Sequence, residues 1–313
     1  MACGACVYAR CVDSRGLPGT GAPRLRIGVV GAGRVGSVLG AALRRAGHEI
    51  TAVSAVSDLS RLRAEALLPG IPIVSAPEAA RDADLVLLAV PDDVLPGLAA
   101  GLAGDGALHA GQFVLHPSGR YGTGVLQPAT DAGAIALAIH PVMTFTGTSV
   151  DLARLEECPF AVTAPESMRP VAEALAVEMG GDPVWVPDEA RGLYHAAVAF
   201  GANYLQAVVL ESLDLLRQAG LDEPARLMAP LLSASLDNAL RQGDGALTGP
   251  VARGDAGTVE VHLARLSEVS PASASAYAAL ARLASDRALA AGLIDMQAAG
   301  ELLALLARKE DGR

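Results

Sequence analysis

The chain has 313 residues, enough for two domains with their own cores, and a formal charge of −10. Aromatic residues make up only 3% of it, so an acidic chain this poor in rings excludes a nucleic-acid-binding surface. No uninterrupted apolar run reaches about 18 residues, so we predict no membrane span and no membrane partner.

The N-terminal segment, residues 1–23, holds three of the four cysteines. Cys3 and Cys6 have the C-x-x-C spacing, but no second pair and no histidine lies nearby. We therefore expect neither a metal site nor a disulfide scaffold, and the cytoplasm is the expected location. The segment also lacks the long apolar core of a signal peptide, and we interpret it as a disordered extension.

The most informative segment comes next, at residues 24–36, where an apolar strand runs directly into a glycine-spaced turn that opens a helix. The turn has the G-x-G-x-x-G spacing: Gly31, Ala32, Gly33, Arg34, Val35 and Gly36. Gly31 permits a sharp turn, Gly33 permits close approach of a pyrophosphate, and Gly36 permits close packing of helix and strand. Because a strand precedes the motif and a helix follows it, the pattern predicts a dinucleotide-binding unit.

The choice between NAD and NADP is expected at the end of the second strand, residues 49–54. An acidic residue there would bind the ribose hydroxyl of NAD. This chain has Ser54, Ser57, Arg61 and Arg63 in that region, with Asp58 the only acid nearby. Hydroxyls and arginines suit a phosphate, so we predict NADP, with NAD the less favoured alternative.

Further strands and helices alternate up to residue 187. Strands are predicted at 71–75, 84–90, 112–115, 134–139, 160–163 and 184–186. This alternation is typical of a Rossmann doubly wound parallel sheet, so the first domain is expected at 24–187. From residue 188 helical spacing dominates, and helices are predicted at 224–241, 258–266, 271–291 and 296–309. The second domain, 188–313, is therefore expected to be all-helical.

Polar residues stand at the ends of three of the predicted strands, where ligands bind in an open parallel sheet. They belong to the segments Ala89-Val90-Pro91-Asp92, His116-Pro117-Ser118-Gly119 and His140-Pro141. A dinucleotide's nicotinamide ring and a substrate are expected there. The alternative, that each His-Pro pair only shapes a turn, remains open.

The helical domain carries two further candidate groups. Tyr194 and His195 stand near the start of a long helix, with Asn203 two turns later on much the same face. The polar segment 247–255 carries Thr248, Arg253 and Asp255, and an arginine has the geometry to bind a carboxylate or phosphate. Hydrogen-bonded core residues and a structural Arg–Asp pair are the competing interpretations.

Together these segments resemble a predicted oxidoreductase family whose members join a Rossmann-like domain to a helical domain of unknown function. The resemblance covers nearly everything from residue 24 onward, and segment 247–255 is its most specific part. The wider 6-phosphogluconate-dehydrogenase-like superfamily includes ketopantoate reductase, pyrroline-5-carboxylate reductase and the 3-hydroxyacid dehydrogenases. The resemblance implies an NADP-linked enzyme whose helical domain forms a homodimer and closes the active site. It also implies a small carboxylate substrate, with ketopantoate the first to test.

The chain departs from this superfamily at one position. In the 3-hydroxyacid dehydrogenases and ketopantoate reductases, a lysine four residues before an asparagine donates the proton. If Asn203 matches that asparagine, the lysine position is Ala199, and the chain's only lysine is Lys309. His195, one turn further back, is the natural substitute, because an imidazole with a pKa of about 6.5 exchanges protons near neutrality. Pyrroline-5-carboxylate reductases also lack the lysine, which leaves an imine substrate open.

These considerations assign an expected role to each candidate residue. His195 would protonate the developing alkoxide, with Asn203 and His140 as hydrogen-bonding partners near the carbonyl. Arg253 would hold the substrate carboxylate, positioned by Asp255, with Thr248 beside it. The nicotinamide would be bordered by Val90, Pro91 and Ser118, the last also a catalytic candidate. A non-catalytic protein that senses NADP(H) is the alternative from a different functional class.

Overall fold

A computed structural model describes residues 24–311, and the side chains of residues 24–307. The interpretation of residues 1–23 as a disordered extension lies outside the described residues. The chain divides into two compact units, with the boundary between Gly201 and Ala202. The sequence predicts the boundary near residue 187, where the sheet ends, whereas the contacts place it inside the helix that follows.

The first unit contains a seven-stranded sheet in the order β2-β1-β3-β4-β5-β6-β7. Its strands are β1 (Arg26–Val30), β2 (Glu49–Ser54), β3 (Leu85–Leu88), β4 (Phe113–His116), β5 (Ile135–Pro141), β6 (Pro159–Thr163) and β7 (Asp182–Trp185). All neighbouring strands pair in parallel except β5 and β6, which are antiparallel. This mostly parallel sheet confirms the predicted Rossmann fold class.

Helices cover both faces of the sheet, and a separate apolar cluster fills the space on each side. Every residue of β3 is fully buried, as an uninterrupted apolar strand in the centre of a parallel sheet should be. The helices of this unit are α1 (Arg34–Arg45), α2 (Asp58–Leu67), α3 (Ala76–Arg81), α4 (Leu95–Gly104), α5 (Gln127–Asp131), α6 (Val150–Arg154) and α7 (Arg169–Glu178).

Two features of the sheet differ from the sequence-based expectation. The predicted strand at 71–75 is wrong, because only a single bridge joins Ile73 to Val53 and Pro72 has no N–H to extend it. The prediction of a wholly parallel sheet is also wrong at β6. The link from β5 to β6 carries only the five-residue α6 in place of a long crossover helix, and β6 pairs antiparallel with β5.

The long helix α8 (Arg191–Gln218) spans the boundary between the units. The remaining helices are α9 (Pro224–Gln242), α10 (Gly249–Ala252), α11 (Ala256–Val269), α12 (Pro271–Ala290) and α13 (Met296–Asp311). The buried apolar cluster of the second unit comes from the region of α10 to α13. In contrast, the only buried residue of α8 is Arg191, and the only one of α9 is Pro224.

Helix α8 therefore leaves an apolar surface uncovered. The helical segment 188–218 is long and apolar enough to cross a membrane by length and composition, and none of its most apolar window is buried. One such helix is weak evidence of a membrane span. Helix α9 also exposes large apolar side chains, Leu227 and Leu231 on one face and Leu236 and Leu240 on the opposite face.

Candidate active site

The glycine-spaced turn between β1 and α1 is held by backbone contacts that leave no room for side chains. Gly31 has a φ of +98°, and a Cβ placed there would lie 2.5 Å from the carbonyl oxygen of Ala89. A Cβ at Gly36 would overlap the carbonyl oxygen of Gly31. The N–H groups of Gly31 and Ala32 both donate to the carbonyl oxygen of Ser54, at 3.1 and 2.9 Å, and so join the turn to β2.

Gly33 differs from these two glycines because open space surrounds the position of its missing side chain. It is the N-cap of α1, and the first bond within the helix runs from the N–H of Ser37 to the carbonyl oxygen of Gly33. The N–H groups of Arg34, Val35 and Gly36 therefore have no acceptor in the preceding turn. The positive end of a twelve-residue helix and an open approach suit a diphosphate.

Three arginines lie in and around this turn. A Cβ at Gly147 would lie 2.8 Å from Nε of Arg63 and 2.9 Å from Cγ of Arg34, so both side chains reach the same loop. Arg61 is exposed on α2. Within the described residues, none of the three forms an ion pair with a carboxylate. Their charges are available for an anionic ligand.

The predicted ribose-binding serines have other partners in the structure. Ser54 is buried at the end of β2. Ser57 is the N-cap of α2, where its hydroxyl accepts from the N–H of Ser60 at 3.2 Å. The hydroxyl of Ser60 in turn accepts from the N–H of Ser57 at 3.0 Å. Ser57 therefore stabilises the start of α2, and its contact with a cofactor stays a prediction.

A cleft of about 440 Å³ opens at the carboxyl ends of the strands in the first unit. It brings together several residues that the sequence predicts for the site, from the glycine turn, the end of β3, the turn after β4, the end of β5 and the start of α8. Its lining consists of Gly33, Arg34, Val35, Ala89, Val90, Pro91, Asp92, Pro117, Ser118, Gly119, His140, Pro141, Met143, Phe145 and His195.

His116, at the end of β4, shapes the turn beside this cleft and lies behind it. Its Nε2–H donates to the carbonyl oxygen of Gly122 at 2.9 Å, and its Nδ1 accepts the N–H of Ser118 at 3.2 Å. Burial lowers the pKa of His116 to about 4, so the ring is neutral at pH 7. The hydroxyl oxygen of Ser118 accepts the N–H groups of Arg120 and Tyr121, both at 3.2 Å.

Two histidine rings in the lining of the cleft meet edge to face. The ring centroids of His140 and His195 are 6.4 Å apart, with an interplanar angle of 85°. A Cβ at Gly119 would lie 2.8 Å from Cδ2 of His195 and 2.9 Å from Cε1 of His140, so the rings close around this glycine. Burial, and next the charge of Arg191, lower the pKa of His140 to about 4. His140 is therefore a neutral ring at pH 7.

Arg191 is the residue that the sequence analysis missed. Its side chain is 1% exposed, and its guanidinium donates to the hydroxyl of Thr163 and to three carbonyl oxygens, those of Ser118, Ala138 and Ala161. Within the described residues it forms no ion pair. Burial lowers its pKa to about 10, and the group remains charged at pH 7. Met143 and Phe145 are further lining residues that no motif in the sequence indicates, whereas Asp92 belongs to one of the predicted strand-end segments.

The other predicted residues lie in the second unit. Asn203 is exposed on α8, Thr248 is the N-cap of α10, and Arg253 is the exposed C-cap of the same helix. The carboxylate of Asp255 accepts the N–H of Thr258 at 3.0 Å and its hydroxyl at 2.7 Å, and so caps α11. These hydrogen bonds lower the pKa of Asp255, with a smaller contribution from Arg253. Their roles toward a substrate stay predictions.

Comparison with protein families assigns both parts of the chain. Residues 13–141 match the Rossmann-like domain, and residues 158–284 match a domain of unknown function, DUF2520. The chain thus joins a Rossmann-like domain to a DUF2520 domain, which confirms the resemblance identified from its motifs. A search of curated proteins finds no match.

Solved structures share the fold over most of their length. A protein of Bacteroides fragilis, provisionally described as an NADP oxidoreductase, has a TM-score of 0.69 at 22% identity, covering 84% of this chain and 98% of its own. An imine reductase from a Pseudomonas species has a TM-score of 0.62 at 20% identity, covering 90% and 99%. The pyrroline carboxylate reductase of Plasmodium falciparum, solved with NADP bound, has a TM-score of 0.52 at 12% identity, covering 92% and 97%. The chain thus shares the fold of these three proteins.

Proposed function

We propose that the protein is an NADPH-dependent reductase of a small 2-oxo acid, with ketopantoate the first substrate to test. The observation that carries this proposal is the composition of the cleft. The open end of the glycine turn and the polar side chains of Ser118, His140 and His195 line one space of about 440 Å³. A nucleotide's reducing ring and a small carbonyl compound both have suitable surroundings there.

The preference for NADP rests on charge. The free N–H groups at the start of α1 suit the diphosphate, and Arg34, Arg61 and Arg63 suit the additional phosphate that distinguishes NADP from NAD. The NADP-bound pyrroline carboxylate reductase and the protein described as an NADP oxidoreductase share this fold, which supports the same choice. When bound, NADPH supplies the hydride that reduces the substrate carbonyl carbon.

The protein's own residues manage the proton and the orientation of the substrate. His195 would give a proton to the carbonyl oxygen as the carbon is reduced, so that the 2-oxo acid becomes a 2-hydroxy acid and NADP⁺ is released. His140 would donate a hydrogen bond to the same oxygen, and Asn203 would assist it. Arg253 would bind the substrate carboxylate, with Thr248 and Asp255 supporting it. No lysine is needed, because His195 takes over its role.

A cyclic imine bearing a carboxylate is the second candidate substrate. Two of the structural relatives are an imine reductase and a pyrroline carboxylate reductase, which favours this chemistry. A protein that only senses NADP(H) is the remaining alternative. Against it stand the polar side chains of Ser118, His140 and His195 in the cleft, because a sensor needs no proton donor beside the nicotinamide.

We also propose that the protein acts as a homodimer in the cytoplasm, with α8 and α9 at the dimer interface. These helices carry exposed apolar side chains, including Leu210 and Leu231. An apolar surface of this extent is typical of a permanent interface. Sedimentation measurements would reveal a dimer, and a monomer at micromolar concentration would contradict this proposal.

Calorimetry followed by a substrate panel tests the function. The purified protein should bind NADPH more tightly than NADH. NADPH consumption should then be measured with ketopantoate, other 2-oxo acids and cyclic imines with and without a carboxylate. Turnover with a 2-oxo acid supports the first proposal, and turnover restricted to imines supports the second. Tight NADPH binding without turnover favours the sensor, and absence of binding to either nucleotide contradicts all three.

A further inference from the structure

Tyr194 is a half-buried tyrosine that has no role in the proposed mechanism. It lies in the first turn of α8, and its hydroxyl is 2.8 Å from Nδ1 of His140. The two rings meet edge to face, with centroids 5.9 Å apart and an interplanar angle of 81°. Tyr194 does not line the cleft, whereas His140 does. Any effect of Tyr194 on a substrate must therefore pass through His140.

His140 is held as a neutral imidazole by its surroundings. The groups that act on it are Arg191, His195, Asp92 and His116. Burial and the fixed charge of Arg191 oppose a positive charge on the ring, and both outweigh the opposing effect of Asp92. A neutral imidazole carries hydrogen on only one of its two nitrogens. Which nitrogen carries it decides what His140 presents to the cleft.

The contact with Tyr194 decides between the two tautomers. Burial raises the pKa of Tyr194, so its hydroxyl keeps its proton. A phenol O–H donates readily to an imidazole nitrogen, and a half-buried hydroxyl proton needs an acceptor. If the hydroxyl donates to Nδ1, the ring hydrogen must reside on Nε2. This nitrogen lies on the ring edge at Gly119, where a Cβ would be 3.0 Å from it, next to the ring of His195.

We propose that Tyr194 is a positioning residue that holds His140 as the tautomer with hydrogen on Nε2. His140 is then a fixed, neutral hydrogen-bond donor in the cleft, and His195 alone transfers the proton. This inference rests on the proposed reductase function and sharpens its substrate class. A carbonyl oxygen accepts a hydrogen bond from Nε2–H, whereas a protonated imine offers only a donor. The arrangement favours a carbonyl over an iminium substrate.

The first test needs no substrate, so its outcome is independent of the proposed function. Long-range ¹⁵N–¹H NMR distinguishes the tautomers of each histidine at neutral pH. We expect His140 to carry hydrogen on Nε2 in the native protein and to become a mixture of tautomers in Tyr194→Phe. Tyr277→Phe is a matched control, because the Tyr277 hydroxyl is 2.9 Å from Nδ1 of His262 and the two rings also meet edge to face. Neither Tyr277 nor His262 lines the cleft. This variant should leave the signals of His140 unchanged.

A ring that carries hydrogen on Nδ1 in the native protein would overturn the proposal. So would a tautomer of His140 that is the same in the native protein and in Tyr194→Phe. Thermal unfolding and NADPH affinity, measured on both Phe variants, verify that the fold and the cofactor site survive the loss of one hydroxyl.

The second test uses the substrate that the panel identifies. We expect Tyr194→Phe to lower kcat about five- to tenfold with little change in the KM for NADPH, as befits the loss of one oriented hydrogen bond. His140→Gln retains an N–H donor at its end, and adding Tyr194→Phe to it should cause no further loss. Multiplicative losses in the double variant would overturn the positioning role, because they would show that Tyr194 acts independently of His140. The ratio of carbonyl to imine turnover should fall in Tyr194→Phe and stay constant in Tyr277→Phe.

Discussion

The carbonyl oxygen of Gly31 occupies the space that a side chain at Gly36 would need. This contact brings the start of α1 against the end of β1, and it assigns different functions to the three glycines of the motif. Gly31 and Gly36 are required by packing, whereas Gly33 faces open space and has an ordinary extended conformation. Only Gly33 is free to serve a ligand.

Substitutions at these glycines should therefore separate stability from binding. We expect Gly36→Ala to lower the free energy of unfolding by about 1–3 kcal/mol or more, because the methyl group overlaps backbone that cannot move away. Gly33→Ala should leave stability almost unchanged and weaken NADPH binding about tenfold or more, which is about 1.4 kcal/mol. Denaturant titration and calorimetry measure the two effects. An unstable Gly33→Ala variant would contradict this division.

The three arginines without ion pairs lead to a prediction about cofactor choice. Replacing Arg61 and Arg63 by alanine should weaken NADPH binding about tenfold or more, because charged hydrogen bonds contribute about 1.5–3 kcal/mol. NADH binding should change little, since NADH lacks the additional phosphate. Arg81→Ala, at an exposed position on α3, offers a control for the loss of one charge, to be compared with the single variants Arg61→Ala and Arg63→Ala. Equal losses for both nucleotides would argue against a phosphate contact.

The proton donor can be tested directly. His195→Ala should lower kcat about 10²–10⁴-fold and leave NADPH affinity nearly intact, because general acid catalysis contributes that much. Calorimetry with NADPH and steady-state kinetics with the best substrate of the panel separate these effects. A variant with undiminished turnover would eliminate His195 as the donor.

Arg253 should act on substrate binding. Arg253→Ala is expected to raise KM with little change in kcat, because it removes a contact made equally in the ground state and the transition state. Arg265, exposed on α11 and paired with Glu268 at 3.0 Å, provides a control within the same unit. If the two variants have the same KM, Arg253 does not bind the carboxylate.

Stability should depend on pH through the buried histidine of the turn after β4. The pKa of His116 is lowered to about 4 in the folded protein, against an ordinary value of 6.5. His116 therefore binds a proton more readily in the unfolded chain than in the folded protein. Its contribution to the free energy of unfolding is present above pH 6.5 and is lost as the pH falls toward 4. The loss is on the order of 3 kcal/mol. Denaturant unfolding from pH 7 to pH 4 measures it.

His140 titrates in the same range, so the contribution of His116 must be isolated. His116→Gln should lessen the pH dependence of unfolding, since glutamine cannot take up a proton. If His116→Gln retains the full dependence, other groups are responsible for it.

The local patterns of the sequence predict much of this architecture. The glycine turn, the buried strand β3 and most of the helices follow from spacing and from the apolar runs. The failures have physical causes. The apolar residues at 71–75 resemble a strand, but Pro72 interrupts the ladder. The direction of β6 depends on the path of the connection after β5, which local patterns do not reveal.

The sequence predicts the part of the candidate site that lies at the ends of strands. Polar residues at those positions come together because the carboxyl ends of parallel strands meet at one edge of the sheet. Val90, Ser118 and His140 come together for this reason. Arg191 could not be identified in this way. An arginine at the start of a helix is ordinarily a surface residue, and its burial depends on four acceptors contributed by distant segments, including Thr163. The neutral state of His140 depends on that same tertiary arrangement.

The charge of Arg191, which no ion pair within the described residues neutralises, adds a positive contribution to the potential near the strand ends, against the negative contributions of Asp92 and Asp188. Since the guanidinium stays ionised throughout the pH range in which the neighbouring histidines change state, this field persists when they are neutral. We expect this field to favour solutes with a negative charge at the strand ends despite the net charge of −10. Because the charge of Arg191 does not require a protonated histidine, one group can favour an anionic ligand while another, His195, transfers the proton.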